Sequence, residues 1–299
     1  MIQDEYIVVF GEVLYDCFAD DIQVLGGAPF NVAWNLKGLG AHPLFISKVG
    51  NDELGASIIQ AMNDWGMSTD GVQVDDNYDT GKVEVSFYDN EPSYDIVDNA
   101  AYDFIDASNI PYLPLNGIIY HGSLALRHAH NQQALYHLKT QMNARFFVDV
   151  NLRAPWWEKA KIEQISQQAD WIKLNNDELD LLTREGNENS RIAQFFSSAE
   201  NIKELILTKG EAGAVSITPE GEFNTVYPIP GNKFVDTVGA GDAFSSVMLL
   251  GKYLSWPNDL TMRRAQDFAS AVVGLRGATT QDKDFYNGFV EKWQINTSE

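Results

Sequence analysis

The chain has 299 residues, 44% of them hydrophobic and 21% charged, which sets it among globular proteins and apart from disordered ones. Twenty-one Lys+Arg against 42 Asp+Glu leave a formal net charge of −21, which argues against nucleic acid and anionic lipid as partners, since both select basic surfaces. A single cysteine, Cys17, excludes an internal disulfide and a cysteine-based zinc cluster; with no basic-then-apolar leader and no apolar run near the ~18–20 residues of a membrane span, a cytoplasmic protein is expected.

In chain order, short apolar β-rich runs at 6–12, 44–49, 117–121, 145–150, 170–174 and 204–208 predict strands. Helical patterns lie between several of them. Leu54, Ile58, Ala61, Met62 and Trp65 share one face, as do Leu135, Leu138 and Met142. This alternation predicts an α/β domain with a largely parallel sheet covered by helices on both sides. Two stretches break the pattern, 13–25 and 70–97. They hold short strand-like segments with Gly, Asp and Asn turns, and 80–89 and 92–97 flank Asn90-Glu91 as a hairpin. They predict a small β-sheet, a lid or dimer clasp, standing off a main domain built from 1–12, 26–69 and 98–299.

Three segments carry candidate chemistry. In Asp236-Thr237-Val238-Gly239-Ala240-Gly241-Asp242, a Gly-Ala-Gly turn opens a helical pattern. Such a turn leaves backbone N–H groups unpaired at the positive end of a helix dipole, an anion site. Asp242 beside it can accept the proton of an attacking hydroxyl, or it can simply cap the helix. In Gly26-Gly27-Ala28-Pro29-Phe30-Asn31, paired glycines lead into a proline suited to a helix start. Asn31 there offers a donor and an acceptor to a polyol; the alternative is a packing turn. In Lys173-Leu174-Asn175-Asn176-Asp177-Glu178 a strand meets a helix, and Asn175 and Glu178 suit either a hydrated Mg²⁺ or a capping box.

Together these segments resemble the ribokinase-like, or phosphofructokinase B, carbohydrate kinases in order and spacing over essentially the whole chain. The resemblance implies a three-layer α/β/α sandwich with a small β-sheet lid, and transfer of the γ-phosphoryl group of ATP to a sugar hydroxyl. It assigns Asp242 as the base and the amides of Gly239, Ala240 and Gly241 as the anion hole. Asp16, Gly27 and Asn31 would bind the sugar, and Asn175 and Glu178 would organise Mg²⁺ around the phosphates. Thr208-Lys209-Gly210 would lie beside the nucleotide, and Asp236 with the 274–280 loop would take K⁺. Within the family the pattern is most similar to bacterial fructokinases. The lid run Glu91-Pro92-Ser93-Tyr94-Asp95-Ile96-Val97 and the run Asp149-x-Asn151-x-Arg153 carry that likeness, with Arg153 as a further sugar contact. D-fructose, phosphorylated at its 6-hydroxyl, is the expected substrate. A 2-keto-3-deoxygluconate kinase or another sugar kinase is one alternative, and a non-catalytic sugar- or nucleotide-binding regulator another. A homodimer through the lid is expected, because an exposed sheet edge is usually paired or covered. Trp156-Trp157 read as helix packing, and His128 and His130 lack an evident third metal ligand. No Gly-x-x-x-x-Gly-Lys-[Ser/Thr] run is present, which excludes a P-loop enzyme.

Overall fold

The computed structural model describes residues 5–18, 22–88, 91–113, 116–228 and 238–295, with 87, 88 and 91–93 described by their backbone alone. β1 (Glu5–Phe10) ends in four consecutive buried apolar residues, the mark of a central strand covered on both faces. β2 (Leu14–Phe18) and β3 (Gln23–Gly26) leave it as a hairpin. α1 (Ala28–Gly38) then returns beneath the sheet with every residue from Pro29 to Leu36 buried. β4 (Leu44–Gly50) and α2 (Glu53–Trp65) follow. Asp52 caps α2 through the Gly55 N–H at 2.7 Å, and Ile58, Met62 and Trp65 face the core. β5 (Val72–Asp75), β6 (Gly81–Tyr88) and β7 (Glu91–Ile96) lead to β8 (Asn116–His121).

The second half repeats strand and helix: α3 (Ala129–Gln141), β9 (Asn143–Asp149), α4 (Lys159–Ser166), β10 (Trp171–Asn175) and α5 (Asn176–Leu182). Next come α6 (Glu188–Ser198), β11 (Glu204–Thr208), β12 (Ala214–Ile217) and β13 (Phe223–Val226). α7 (Ala240–Tyr253), α8 (Asn258–Val272) and α9 (Lys283–Trp293) close the described chain. One sheet runs β13-β12-β11-β10-β9-β8-β1-β4-β5 and a second runs β3-β2-β6-β7. From β11 to β5 the large sheet is parallel; β12 and β13 are antiparallel at its edge.

The expected α/β sandwich with a separate small sheet is present, and the six expected strands are β1, β4 and β8 to β11. Within 70–97, however, Val72–Asp75 pairs with β4 at the open edge of the large sheet, and Val72 packs against the main core. The small sheet therefore draws on 81–96 of that stretch. The hairpin tip, 89 and 90, lies outside the described residues. Along the large sheet the chain order reverses at β1, whose neighbours are β8 and β4. In open α/β sheets that reversal opens a crevice at the carboxyl ends of the strands.

Candidate active site

Five strand ends deliver side chains to this crevice. β1 leads into Glu12, β9 ends at Asp149, β10 carries Lys173 and Asn175, and β11 ends at Thr208. β2 of the small sheet adds Asp16. The first turns of α1, α5 and α7 point at the same place. The resulting cleft, of about 540 Å³, is lined by Asp16, Gly27, Asn31, Arg153, Asn175, Glu178, Thr208, Gly239, Gly241 and Asp242 among others. Most of the residues singled out from the sequence thus converge. Tyr94 and Ile96 of β7 close the lid side.

Two glycines show why the turns need this residue type. Gly239 caps α7 at φ 79°, in the left-handed region, and a Cβ there would sit 2.3 Å from Ala278 Cα. Gly27, before α1, has φ 108°, and a Cβ there would meet the Glu12 carbonyl oxygen at 2.7 Å. With no side chains in the way, the N–H groups at the start of α7 remain open to an anion. Lys173 reinforces them: its Nζ lies 3.5 Å from where a Cβ of Gly241 would be.

Asp242 follows in the first turn of α7. Its Oδ2 accepts a 2.8 Å hydrogen bond from Asn31 Nδ2, which ties the two glycine turns together. Burial pushes its carboxyl up to about 6; the Asp149 charge adds to the rise, while the Asn31 bond, Lys173 and Arg153 oppose it. Asp16 is also raised by burial, against the pull of Arg153.

Asn175 and Glu178 form the capping box. Glu178 N–H donates to Asn175 Oδ1 at 2.9 Å, and Asn175 N–H donates to Glu178 Oε2 at 2.8 Å. Glu178 Oε1 accepts from Leu152 N–H at 2.7 Å, so each carboxylate oxygen is already held by backbone. Burial, then the Asp149 charge, raises the Glu178 carboxyl. The capping and metal readings are therefore compatible only if the ion keeps its water shell, which suits magnesium. The lining supplies the incentive, with five carboxyls (Glu12, Asp16, Asp149, Glu178, Asp242) against two cations.

A second cavity of about 280 Å³ adjoins the first and shares Thr208 and Gly241 with it. Gly210, Ala240, Phe244, Ala269 and Val273 make its wall largely apolar, a shape for a flat ring system. Lys209 lines neither cavity; its Nζ pairs with Glu188 at 2.6 Å. Asp236 lies outside the described residues.

Sequence reading passed over three groups. Lys173 Nζ pairs with Asp149 Oδ2 at 2.7 Å, both buried, and Asp149 also accepts from Ser245 at 2.8 Å and Tyr120 at 3.2 Å. A charge inside each of two apolar strand runs was the available signal, and register places Lys173 and Asp149 side by side. Glu12 is 3% exposed, and burial lifts its carboxyl to about 7, with Asp242 adding to the rise and Arg153 opposing it.

A model of the family described as pfkB family carbohydrate kinase matches residues 4–284. A protein described as probable fructokinase-5 of Arabidopsis thaliana is 31% identical, the match covering 92% of this chain and 91% of that one. A solved fructokinase of Vibrio cholerae O395, in fructose-, ADP- and calcium-bound form, superposes with a TM-score of 0.81 at 24% identity, over 95% of this chain and 98% of the other. An aminoimidazole riboside kinase of Salmonella enterica, complexed with its riboside and an ATP analog, reaches 0.81 at 22% identity, over 96% and 100%. Two such different acceptors on one backbone mean that the structural likenesses speak for the fold and leave the sugar to the side chains.

Proposed function

The chain belongs to the pfkB family of carbohydrate kinases, and we propose that within it the protein phosphorylates D-fructose at the 6-hydroxyl. One observation supports this most: Asp242, bonded to Asn31, sits beside the open amides of the 239–241 turn and faces the cleft that Asp16 also lines. Asp16, Gly27 and Asn31 hold the sugar on the lid side. ATP lies across the shared wall, its base in the apolar cavity by Thr208, Gly210 and Ala240. Phosphoryl transfer asks mainly for positioning and charge stabilisation. The amides of Gly239, Ala240 and Gly241, with Lys173 beneath them, stabilise the migrating group while Asp242 takes the hydroxyl proton. Magnesium, held through water by Asn175 and Glu178, neutralises phosphate charge in a cleft rich in carboxyls. A monovalent cation at Asp236 and the 274–280 loop belongs to the same proposal.

A second reading draws on Arg153, an exposed cation at the sugar end. It would suit an acid sugar such as 2-keto-3-deoxygluconate. A coupled ADP-release assay over a panel of neutral and acid sugars separates the readings. Fructose should give the highest kcat/KM, and preference for an acid sugar would remove fructose. The Asp242→Asn protein should lose about 10²–10⁴-fold in kcat with sugar and ATP binding retained. Near-normal turnover would refute the base, and a silent wild-type protein would indicate a regulator.

We further propose that the small sheet, 13–25 with 81–96, moves as a lid and pairs with its copy in a homodimer. Its exposed Ile22, Val24 and Tyr94 are the supporting feature.

A further inference from the structure

Behind the lid, away from the cleft, a cavity of about 110 Å³ is lined by Arg127, Trp156, Lys161, Glu158, Gln132 and Ser123 among others. Arg127 is only 6% exposed. Its Nε and Nη2 bond the Asp103 carboxylate at 2.8 and 2.6 Å, and Nη2 also reaches the Val97 carbonyl at 2.8 Å. Its Nη1 is buried and has no hydrogen-bond partner. The guanidinium stacks 4.4 Å over the Trp156 ring, whose Nε1 is likewise buried and unpartnered. Two orphan donors thus meet one cavity, and each costs about 1–3 kcal/mol while unpaired.

The charge of the walls suits an acceptor. Arg127 and Lys161 are the cations, against Glu158 alone, in a chain of net charge −21. Glu158 is largely exposed and engaged by Lys161 at 2.8 Å. α4 starts here with no side-chain cap, so its dipole favours the same sign. The volume exceeds the ~10–15 Å³ that one water needs, leaving room for a small polyatomic group. On the other side of Arg127, His128 Nε2 lies 2.9 Å from Asp98 and 3.9 Å from Asp103. That trio already shares the guanidinium, which supplies the positive charge a metal would bring.

We propose that this cavity is a second ligand site, one that takes a small oxyanion, phosphate or carboxylate, on Arg127 Nη1 and Trp156 Nε1. Such a ligand satisfies both donors and brings no hydrogens that need acceptors of their own.

The test is calorimetric titration of the full chain with inorganic phosphate and, separately, acetate, while a saturating non-hydrolysable ATP analogue with Mg²⁺ fills the anion hole. One saturable event is expected, weakened about tenfold or more in Trp156→Phe, which keeps the stacked ring and removes only the donor. Unchanged melting of that variant shows that the fold is intact. Response to phosphate alone or to acetate alone assigns the class. Absence of any saturable event below about 10 mM, or equal binding by Trp156→Phe, overturns the site. So does a crystal grown in selenate that holds only ordered water between the two donors. None of these readouts depends on which sugar is phosphorylated.

Discussion

Two carboxyls at the floor of the cleft are held above their ordinary range for the same reason, loss of water around the charge. For Asp242, raised to about 6, the ionised form is the one that accepts a proton. kcat/KM should therefore fall about tenfold per pH unit below about 6 and level off above it. Glu12, raised from 4.5 to about 7, has a stability consequence of definite sign. The folded state binds that proton more tightly than the unfolded chain. Its stabilising contribution is full below 4.5 and disappears as pH rises through about 7. Glu12→Gln keeps the neutral shape, so its melting temperature should exceed wild type at pH 8 and vary less between pH 5 and 8. An effect on the order of 2 kcal/mol is expected in urea titrations. Asp242→Asn should likewise raise the melting temperature at pH 8 as it abolishes turnover, the usual exchange of stability for a charged site.

Helix starts set the geometry at the next scale. α7 begins at a left-handed Gly239 pressed against Ala278. Gly239→Ala adds the left-handed penalty of about 1–2 kcal/mol to a backbone clash. It should lower the denaturation midpoint measurably and cut kcat more than 10²-fold, because the amides it displaces are the phosphoryl cradle. α5 begins at the Asn175–Glu178 box, which also anchors the Leu152 amide. In Glu178→Gln one of two buried N–H groups loses its acceptor, a loss of about 1–3 kcal/mol. The magnesium concentration for half-maximal activity should rise alongside. If stability fell with no change in magnesium demand, Glu178 would be a cap alone.

The molecule as a whole carries its net charge of −21 into any assembly. Two such chains repel, and salt screens that repulsion over a Debye length of about 8–10 Å. Dimerisation through the apolar lid residues should therefore strengthen between low and moderate salt. Light scattering at micromolar protein should report about twice the 33.4 kDa chain mass. Replacing Ile22 and Val24 with Asp should return the monomer; a wild-type monomer at every salt concentration would count against the clasp. Among the described residues no helix is long and apolar enough to cross a membrane.

Local chemistry made the strand and helix alternation and the glycine turns readable in the chain, because a helix start, a left-handed glycine and an apolar period each depend on a few neighbouring residues. The 239–242 turn, the 26–31 turn and the Asn175–Glu178 pair were legible for that reason, although the chain left open whether the pair caps a helix or organises an ion. What folding alone decided depends on distance in sequence. The Asn31–Asp242 bond spans 211 positions, and the Asp149–Lys173 pair exists because two parallel strands lie in register. The proton affinity of Glu12, the return of 72–75 to the large sheet and the turning of Lys209 toward Glu188 follow from burial and neighbours. Desolvation is a property of the packed interior, and no local run of residues encodes it.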